Sequence, residues 1–439
     1  MAKPIDDSMP TRISAECPDD IRHILYNAWG HDLDELKKIF KAHPDDDYEY
    51  ERSIANVQDP ETKETPLHAA VRACGPAEKT KDSGEQEEDG VVEEAREIIQ
   101  ELFESGAIWN TLDNNDETPG CVALRLRRET LYEMFVIKGA QTELLLSGTA
   151  GYEFLGSEDG EEQAAAGAKD DGDAMDVEDE APQLVTVKAD ETELVSPEDH
   201  EKTVTSDEYL KSELTYDDGK LVDSDLNGVM MAWETDIMKR SVAALLPDAP
   251  TGKRILNIGF GMGIIDGMFA ELKPSRHHVI EAHPAVLEHV AKPDSKFGPS
   301  WEKSGPEEGA YKIHAGKWQD VVLKLLEQGE VYDAIYFDTF GEDYSELRTF
   351  FSEYLLGLLD EEGRFSFFNG LGADRRICYD VYIDVVEAHG NEAGFDISWQ
   401  EIDVDMSTLA EAGKGEWEGV RRRYWTLDKY KLPVFTFMG

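Results

Sequence analysis

The sequence predicts an α/β domain with a mostly parallel sheet, preceded by an all-helical domain. From about residue 205 onward, short apolar segments alternate with patterns of helical period. A glycine-rich loop follows the first of these segments, as it does where parallel strands end at a ligand site. Before residue 147 only helical patterns occur, and a chain of 439 residues is long enough for two domains.

The charge composition favours a cationic partner. The chain has 94 acidic and 43 basic side chains, which give a formal net charge of -51. This charge repels phosphate backbones and anionic lipid headgroups, so we expect neither nucleic acid nor a membrane as a direct partner. It attracts a basic protein, although the same acidity would also serve simply to keep the chain soluble.

The cysteines and the hydropathy pattern indicate a soluble protein of a reducing compartment. Cys17, Cys74, Cys121 and Cys378 show no CxxC spacing, so we expect neither a disulfide framework nor a bound metal. No stretch of about 18 apolar residues occurs, and the N-terminus lacks the apolar core of a signal peptide. We expect the protein in the cytoplasm, with the nucleus as a second compartment.

Helical repeats are expected over residues 21–146, after a flexible N-terminus of residues 1–20. Thr65-Pro66 and Thr118-Pro119 each mark a helix start, since proline at the first helical position needs no N–H and threonine caps the free amides. The motif TPLHxA over residues 65–70 resembles an ankyrin repeat. The two pairs lie 53 residues apart instead of about 33, so an acidic insertion of about 20 residues interrupts the array. Such repeats typically bind proteins, which suggests substrate docking, or else they stabilise the neighbouring domain.

Residues 147–204 are predicted to form an acidic, disordered linker. The segment has almost no apolar periodicity and contains a dense run of acidic residues. It would act as a spacer between two independently packed cores, or alternatively as a docking tail for a basic partner. The second domain would then cover residues 205–439.

The second domain contains five clear strand patterns, RILNI, HHVIEA, YKIHAG, YDAIYF and RFSFFN, each followed by a helical pattern. The basic run Arg421–Arg423 is expected to lead into a final antiparallel hairpin formed by YWTL and PVFTFM. We assign no chemistry to this run.

The loop after RILNI indicates the type of ligand. Its glycines Gly259, Gly261 and Gly263 spell GxGxG and fail the GxGxxG spacing of dinucleotide sites. GxGxG is associated with S-adenosylmethionine. Glu281 ends the next strand, 22 residues after Gly259, where an acidic residue accepts hydrogen bonds from ribose hydroxyls.

The segments VMMAWETDIM, ILNIGFGMG, VIEAHPAVLEHV, AGKW and YDAIYFDTF resemble guanidinoacetate methyltransferase and its relative, the fungal type IV protein arginine methyltransferase. The resemblance covers residues 205–439. It implies a class I methyltransferase fold, which is Rossmann-like and has a mostly parallel seven-stranded sheet with an antiparallel C-terminal hairpin. Ankyrin-like units ahead of this domain point to the arginine enzyme, which methylates the internal δ-nitrogen of arginine in a basic, for example ribosomal, protein and leaves S-adenosylhomocysteine.

Two other functions stay open. One is a small-molecule guanidino methyltransferase, and the other is a catalytically idle scaffold. The common arginine methyltransferases, which modify terminal nitrogens, carry paired glutamates on a loop and a Thr-His-Trp segment, and neither occurs in this sequence.

The resemblance also implies the cofactor site. Asn257 departs from the family pattern, because many of these enzymes have an acid there, and backbone carbonyls would then hold the methionine ammonium. His283 is expected as a wall of the adenine pocket and not as a base. The implied cofactor-binding residues are Tyr209, Met230, Gly259, Phe260, Gly261, Met262, Gly263, Ile264, Glu281, Ala282, His283, Gly316, Lys317 and Asp338.

A methyl acceptor of the arginine type requires a base. The guanidinium is protonated at physiological pH and has no free lone pair, so a carboxylate must orient it and take a proton. Asp338 ends the apolar strand AIYF, at the rim where such sites form, and its alternative role is to cap the helix beginning in EDYSELRTFF. From its sequence context Glu234 would be interpreted as an ordinary exposed acid. The resemblance alone implies that it is the second catalytic carboxylate. Backbone carbonyls of Asn369 and Gly370 are expected to accept the remaining guanidinium donors.

Overall fold

The computed structural model describes residues 5–42, 53–77, 90–149, 205–217 and 219–439. The predicted acidic insertion and nearly all of the predicted linker lie outside these ranges. Residues 147–149, which were assigned to the linker, instead end a long helix that begins at Glu129. The structure describes the N-terminus, predicted to be flexible, from residue 5 onward. In this segment Ile13 and Cys17 are buried and pack against Leu25.

The N-terminal region is all helical, and its predicted helix starts are confirmed. The Thr65 hydroxyl accepts the amide of His68, and the Thr118 hydroxyl accepts that of Cys121, with proline as the first helical residue in both cases. A 3₁₀ turn also lies at Ile54–Asn56. The helices are α1 Met9–Arg12, α2 Asp19–Trp29, α3 Leu33–Ala42, α4 Pro66–Ala73, α5 Gly90–Glu104, α6 Pro119–Arg125 and α7 Glu129–Thr149.

The C-terminal region alternates strands and helices, as predicted. Its helices are α8 Ser206–Tyr209, α9 Thr235–Leu245, α10 Ile264–Glu271, α11 Pro284–Val290, α12 Pro299–Glu302, α13 Trp318–Glu327, α14 Tyr344–Thr349, α15 Leu355–Leu358 and α16 Arg376–Glu392. Its strands are β1 Thr215–Asp217, β2 Lys220–Val222, β3 Gly228–Met231, β4 Arg254–Ile258, β5 Arg276–Glu281, β6 Tyr311–Ala315, β7 Tyr332–Phe337, β8 Leu359–Phe367, β9 Phe395–Asp403 and β10 Lys429–Phe437. A π-helical turn joins α14 to α15, and 3₁₀ turns lie at Ala232–Glu234 and Gly415–Trp417.

The main sheet has seven strands in the order β6-β5-β4-β7-β8-β10-β9, which confirms the predicted mostly parallel sheet. β10 runs antiparallel to both of its neighbours, β8 and β9. The strand order reverses between β4 and β7, where Ile258 pairs with Phe337, so the loops after these two strands meet at one edge. The strands β1, β2 and β3 form a separate small antiparallel sheet that the sequence did not predict.

The predicted hairpin is wrong in one of its strands. The partner of β10 is β9, with Lys429 opposite Asp403, while the segment YWTL is irregular. Trp425 and Leu427 are buried in an aromatic core together with Tyr430. Two hydrogen bonds hold the segment in place. The backbone amide of Thr426 donates to the carbonyl of Ala373, and the Trp425 indole donates to the carbonyl of Leu427. The apolar residues of YWTL, which predicted a strand, are those of a buried loop.

The expectation of two independently packed cores is also wrong. Ile377, Val381 and Val385 on α16 belong to the same buried cluster as Leu67 and Phe135 of the N-terminal helices. A polar contact adds to this packing, because the Tyr132 hydroxyl donates to Asp380 at 2.6 Å. Apolar side chains on one helix stripe must be covered, and α16 is covered here by α6 and α7. Within the described ranges, no helix combines the length and apolarity needed to cross a bilayer.

Candidate functional site

The glycine loop between β4 and α10 requires its three glycines. Gly259, Gly261 and Gly263 have φ angles of +94°, +54° and +68°, a region that other residues rarely adopt. A Cβ atom on Gly259 would lie 1.9 Å from the carbonyl oxygen of Asp338, and one on Gly261 would lie 2.7 Å from Met230 Cε. The loop therefore brings bare backbone close to the carboxyl ends of β4 and β7.

Glu281 fixes this loop from the end of β5. Its Oε2 accepts the amides of Phe260 at 3.0 Å and Gly261 at 3.3 Å, and its Oε1 accepts the amide of His283 at 2.6 Å. Glu281 is buried, and burial raises its pKa. A carboxylate has about four lone-pair sites, and these three amides occupy three of them, so about one site remains for a ligand hydroxyl.

A cleft of about 620 Å³, here called the glycine-loop cleft, lies over this loop. The predicted cofactor residues that line it are Tyr209, Met230, Gly259, Gly261, Glu281, Ala282, Gly316, Lys317 and Asp338. The sequence did not predict the other lining residues, which are Ser206, Leu210, Val229, Ile258, Ile280, Trp318, Thr339, Phe340 and Glu342.

The remaining predicted cofactor residues, Phe260, Met262, Gly263, Ile264 and His283, do not line the cleft. Phe260 packs edge-on against Phe297, with ring centroids 5.5 Å apart, and the amide of Met262 contacts the Met230 sulfur at 3.2 Å. Gly263 precedes α10, whose first residue is Ile264.

His283 holds a wall of the cleft in place. Its Nδ1 accepts the amide of Ala285 at the start of α11, which leaves Nε2 as the donor to the carbonyl of Tyr209 at 3.0 Å. The ring centroids of Tyr209 and His283 are 4.7 Å apart, so Tyr209 forms the wall and His283 lies behind it. At the far side, Lys317 pairs with Asp207 of α8 at 2.8 Å.

Asn257 lies beneath the loop in a buried polar network. Its Nδ2 donates to the carbonyl of Gly259 at 2.9 Å and to Asp266 at 2.8 Å. Asp266 also bonds Nε2 of His277 at 2.9 Å, and all three side chains are fully buried. The amide of Asn257 thus orients the carbonyl of the first glycine, a role that a carboxylate without a donor would not fill.

The two predicted catalytic carboxylates face a second cavity, here called the acidic cavity, of about 1080 Å³. Asp338 directly follows β7 and is anchored by its amide, which donates to the carbonyl of Ile258 at 2.8 Å. Glu234 is only 4% exposed, so it is not a surface acid. The N-cap of α14 is Asp343, which removes the alternative role of Asp338 as that cap. The acidic cavity shares five lining residues with the glycine-loop cleft, namely Val229, Asp338, Thr339, Phe340 and Glu342.

The electrostatics of the acidic cavity favour a bound cation. Burial raises the pKa of Asp338 to about 7. Burial, and then the charge of Asp338, raise the pKa of Glu234 to about 8. Two carboxyl groups that resist ionisation in this way are both stabilised as anions when a cation lies between them. The cavity is therefore suited to a positively charged group such as a guanidinium.

Hydrogen bonds to Glu234 orient its carboxylate. The hydroxyl of Tyr424 donates to Oε1, and the amide of Met231 lies 3.5 Å from Oε2. Tyr424 also lines the acidic cavity. The sequence gives no sign of Tyr424, because this residue belongs to no motif and lies 190 residues from Glu234.

The predicted substrate residues Asn369 and Gly370 are placed differently from each other. Gly370 lines a third cavity of about 660 Å³, which Asp338 also borders. Asn369 is buried. Its backbone amide donates to the hydroxyl of Tyr430, and its side-chain Nδ2 donates to the carbonyl of Lys431 at 3.2 Å. The structure therefore places Gly370 on a cavity that Asp338 borders, while the Asn369 side chain bonds β10. The expected role of the two backbone carbonyls stays a prediction.

The residues of the glycine-loop cleft fit S-adenosylmethionine as a ligand. A backbone cradle that any Cβ would fill, next to a buried carboxylate, suits a ribose and a charged amino acid portion. Among the residues that the structure describes, no group of three or more His, Cys, Asp or Glu side chains is placed to hold a metal ion.

Comparison with known proteins gives matches along almost the whole chain. A family model described as guanidinoacetate N-methyltransferase matches residues 205–384. Protein arginine N-methyltransferase 2 of Gibberella zeae is 64% identical to this chain, and the match covers 97% of this chain and 94% of that protein. The protein of the same name from Neurospora crassa is 55% identical and covers 99% of both chains. The one from Saccharomyces cerevisiae is 36% identical over 85% of this chain and 83% of its own.

Proposed function

Because this chain belongs to the protein arginine N-methyltransferase 2 family, we propose that it transfers a methyl group from S-adenosylmethionine to an arginine in a protein substrate. The observation that carries this proposal is the junction of two cavities at Asp338. One cavity has the glycine cradle suited to the cofactor, and the other has a pair of carboxyl groups, Glu234 buried and Asp338 partly buried, that is suited to a guanidinium.

The chain would hold the cofactor through backbone and one carboxylate. Glu281 would accept a ribose hydroxyl with its remaining lone-pair site, while Gly259, Gly261 and Gly316 border the cleft with bare backbone. Tyr209 and Met230 supply apolar walls. When bound, the cofactor supplies a methyl group on a positively charged sulfur.

The carboxylate pair would prepare the acceptor. Asp338 and Glu234 bind the guanidinium through paired, charge-assisted hydrogen bonds, and this binding lowers the pKa of both acids. One carboxylate then takes a proton, so that an N–H bond breaks and an O–H bond forms. The freed nitrogen lone pair makes the new N–C bond while the S–C bond breaks, which leaves a neutral thioether. Rate enhancement comes mainly from alignment in a site that excludes water.

The proposal includes the internal δ-nitrogen as the methyl acceptor and a basic protein as the substrate. The δ-nitrogen is supported by the resemblance of the glycine loop and acid motifs to type IV enzymes. The basic substrate is supported by the net charge of -51 and by an excess of acids on the acidic cavity, where Glu234, Asp338, Glu342 and Asp343 outnumber Arg421 and Arg422 of the basic run.

Substrate docking by the N-terminal helices is a further part of the proposal. The TPLHxA motif, the confirmed threonine caps and the pairing of α4 with α5 and of α6 with α7 support an ankyrin-like arrangement. Repeats of that kind present a surface for protein binding.

The experiment that tests the function follows labelled methyl groups. The protein is incubated with labelled cofactor and a basic protein fraction, and in parallel with guanidinoacetate. We expect label on arginine in protein and none on guanidinoacetate. Label on guanidinoacetate alone would establish the small-molecule enzyme instead, and no transfer to either acceptor, with cofactor bound, would favour an idle scaffold.

A further inference from the structure

Tyr424 lies between the acidic cavity and a rigid aromatic cluster. Its ring packs edge-on against Trp417, with centroids 4.9 Å apart, and lies 6.1 Å from the ring of Trp233. On its other side, a Cβ on Gly228 would come within 3.1 Å of the tyrosine ring. This packing leaves the side chain little freedom to change rotamer.

The hydrogen bonds of Tyr424 have a fixed direction when Glu234 is ionised, as it is with a guanidinium bound. The indole Nε1 of Trp233 can only donate, and it lies 3.2 Å from the tyrosine oxygen, which must therefore accept. The hydroxyl has a single proton, and the carboxylate of Glu234 is its acceptor. The chain of bonds thus runs from Trp233 through Tyr424 to Oε1 of Glu234.

We propose that Tyr424 is a positioning residue of the methyl transfer, which holds Glu234 as a hydrogen-bond acceptor and leaves its Oε2 to bind the substrate guanidinium and take its proton. This inference rests on the proposed function. Oε1 accepts the short bond from Tyr424, whereas Oε2 has the long 3.5 Å contact with the Met231 amide, so the transferred proton goes to Oε2. In that step an N–H bond of the guanidinium breaks, an O–H bond on Oε2 forms, and the neutral guanidine keeps the lone pair for the new N–C bond.

The other groups around Glu234 make this bond important. Burial and the charge of Asp338 on β7 raise the pKa of Glu234, while the bond from Tyr424 lowers it. The buried hydroxyls of Tyr336 on β7 and Tyr430 on β10 also interact with Glu234. The other charged groups that line the same cavity are Glu342, Asp343, Arg421 and Arg422. Tyr424 is the side chain whose hydrogen bond to Glu234 counteracts the effect of burial, together with the backbone amide of Met231.

The test compares Tyr424→Phe with a matched control, Tyr332→Phe. Tyr332 is fully buried, whereas Tyr424 is partly buried. The Tyr332 hydroxyl likewise donates one hydrogen bond, to His278 Nδ1 at 2.7 Å, since His278 Nε2 donates to the carbonyl of Gly309. Tyr332 lies at the opposite end of β7 from Asp338. Loss of a hydrogen bond to a charged group should lower kcat/KM for the arginine substrate by about 10- to 100-fold at pH 7. The acid limb of the pH profile should move to higher pH, and cofactor affinity should stay unchanged. The control should keep the wild-type profile.

A second variant separates position from packing. Trp233→Phe keeps the tyrosine hydroxyl but removes the donor that fixes its direction, so it should shift the acid limb in the same direction by less. A Tyr424→Phe profile that superimposes on that of the wild type, even at a lower rate, overturns the inference, because packing alone does not move a pH profile. If the wild-type protein transfers no methyl group to arginine, the proposed function fails. An active wild type with an unshifted variant refutes only the role of Tyr424.

Discussion

Replacing Asp338 by asparagine should make the protein more stable and much less active. Its folded-state pKa of about 7, against an ordinary value of 3.8, means that the native protein resists ionisation of this group. The contribution of this group to the free energy of unfolding is therefore fully present below pH 3.8 and is lost as the pH rises towards 7. The difference of about 3 pKa units corresponds to about 4 kcal/mol at pH 8, an upper limit because the cavities leave Asp338 some solvent. Asparagine carries no charge and avoids this loss.

The assay is urea unfolding at pH 5 and pH 8, together with turnover and calorimetric cofactor binding. The variant should gain more stability over the wild type at pH 8 than at pH 5, and it should lose turnover by a factor on the order of 10² or more. Cofactor affinity should change far less.

The matched control is Asp333→Asn, at the other end of β7. Arg254 and Lys253 pair with Asp333 and, against its partial burial, hold its pKa near 2. The control should therefore lose stability at pH 8, by up to about 2 kcal/mol, and keep its turnover. An Asp338→Asn variant that keeps near wild-type turnover, or that shows the same stability change at both pH values, would refute the reasoning.

Three further predictions concern cofactor, acceptor and architecture. Gly261→Val and Glu281→Ala should each weaken S-adenosylmethionine binding in calorimetry, because the first fills the cradle and the second removes the loop anchor; unchanged affinity in both would contradict the assigned cleft. Glu234→Gln should lower turnover as Asp338→Asn does. The loss of turnover in the double variant should be well below the product of the two single losses, and a loss equal to that product would mean that the acids serve different steps. Removing residues 1–204 should lower the melting temperature, because it uncovers the apolar stripe of α16; an unchanged melting temperature would argue against the shared core.

The sequence predicted the features that depend on local patterns. The strands around the glycine loop follow from runs of apolar residues between turn residues, and the position of Asp338 follows from the end of one such run. The helix starts at Thr65 and Thr118 follow from capping chemistry, which involves only neighbours in the chain.

Features that depend on distant contacts could not be predicted. The contact between Tyr424 and Glu234, and the burial of α16 against the N-terminal helices, involve residues far apart in sequence. The aromatic segment YWTL has the composition of a strand, and only its packing into the core under Tyr430 shows that it is a loop.

The central claim is that Glu234 and Asp338 bind an arginine of a protein substrate and direct the methyl group to its δ-nitrogen. Tandem mass spectrometry of arginine from the methylated basic protein tests it most directly, because methyl groups on the δ-nitrogen and on terminal nitrogens give different fragments. The account predicts δ-methylarginine with the wild-type protein and a product reduced about 100-fold or more with Asp338→Asn. Methylation on terminal nitrogens only, or undiminished product from the variant, would contradict it.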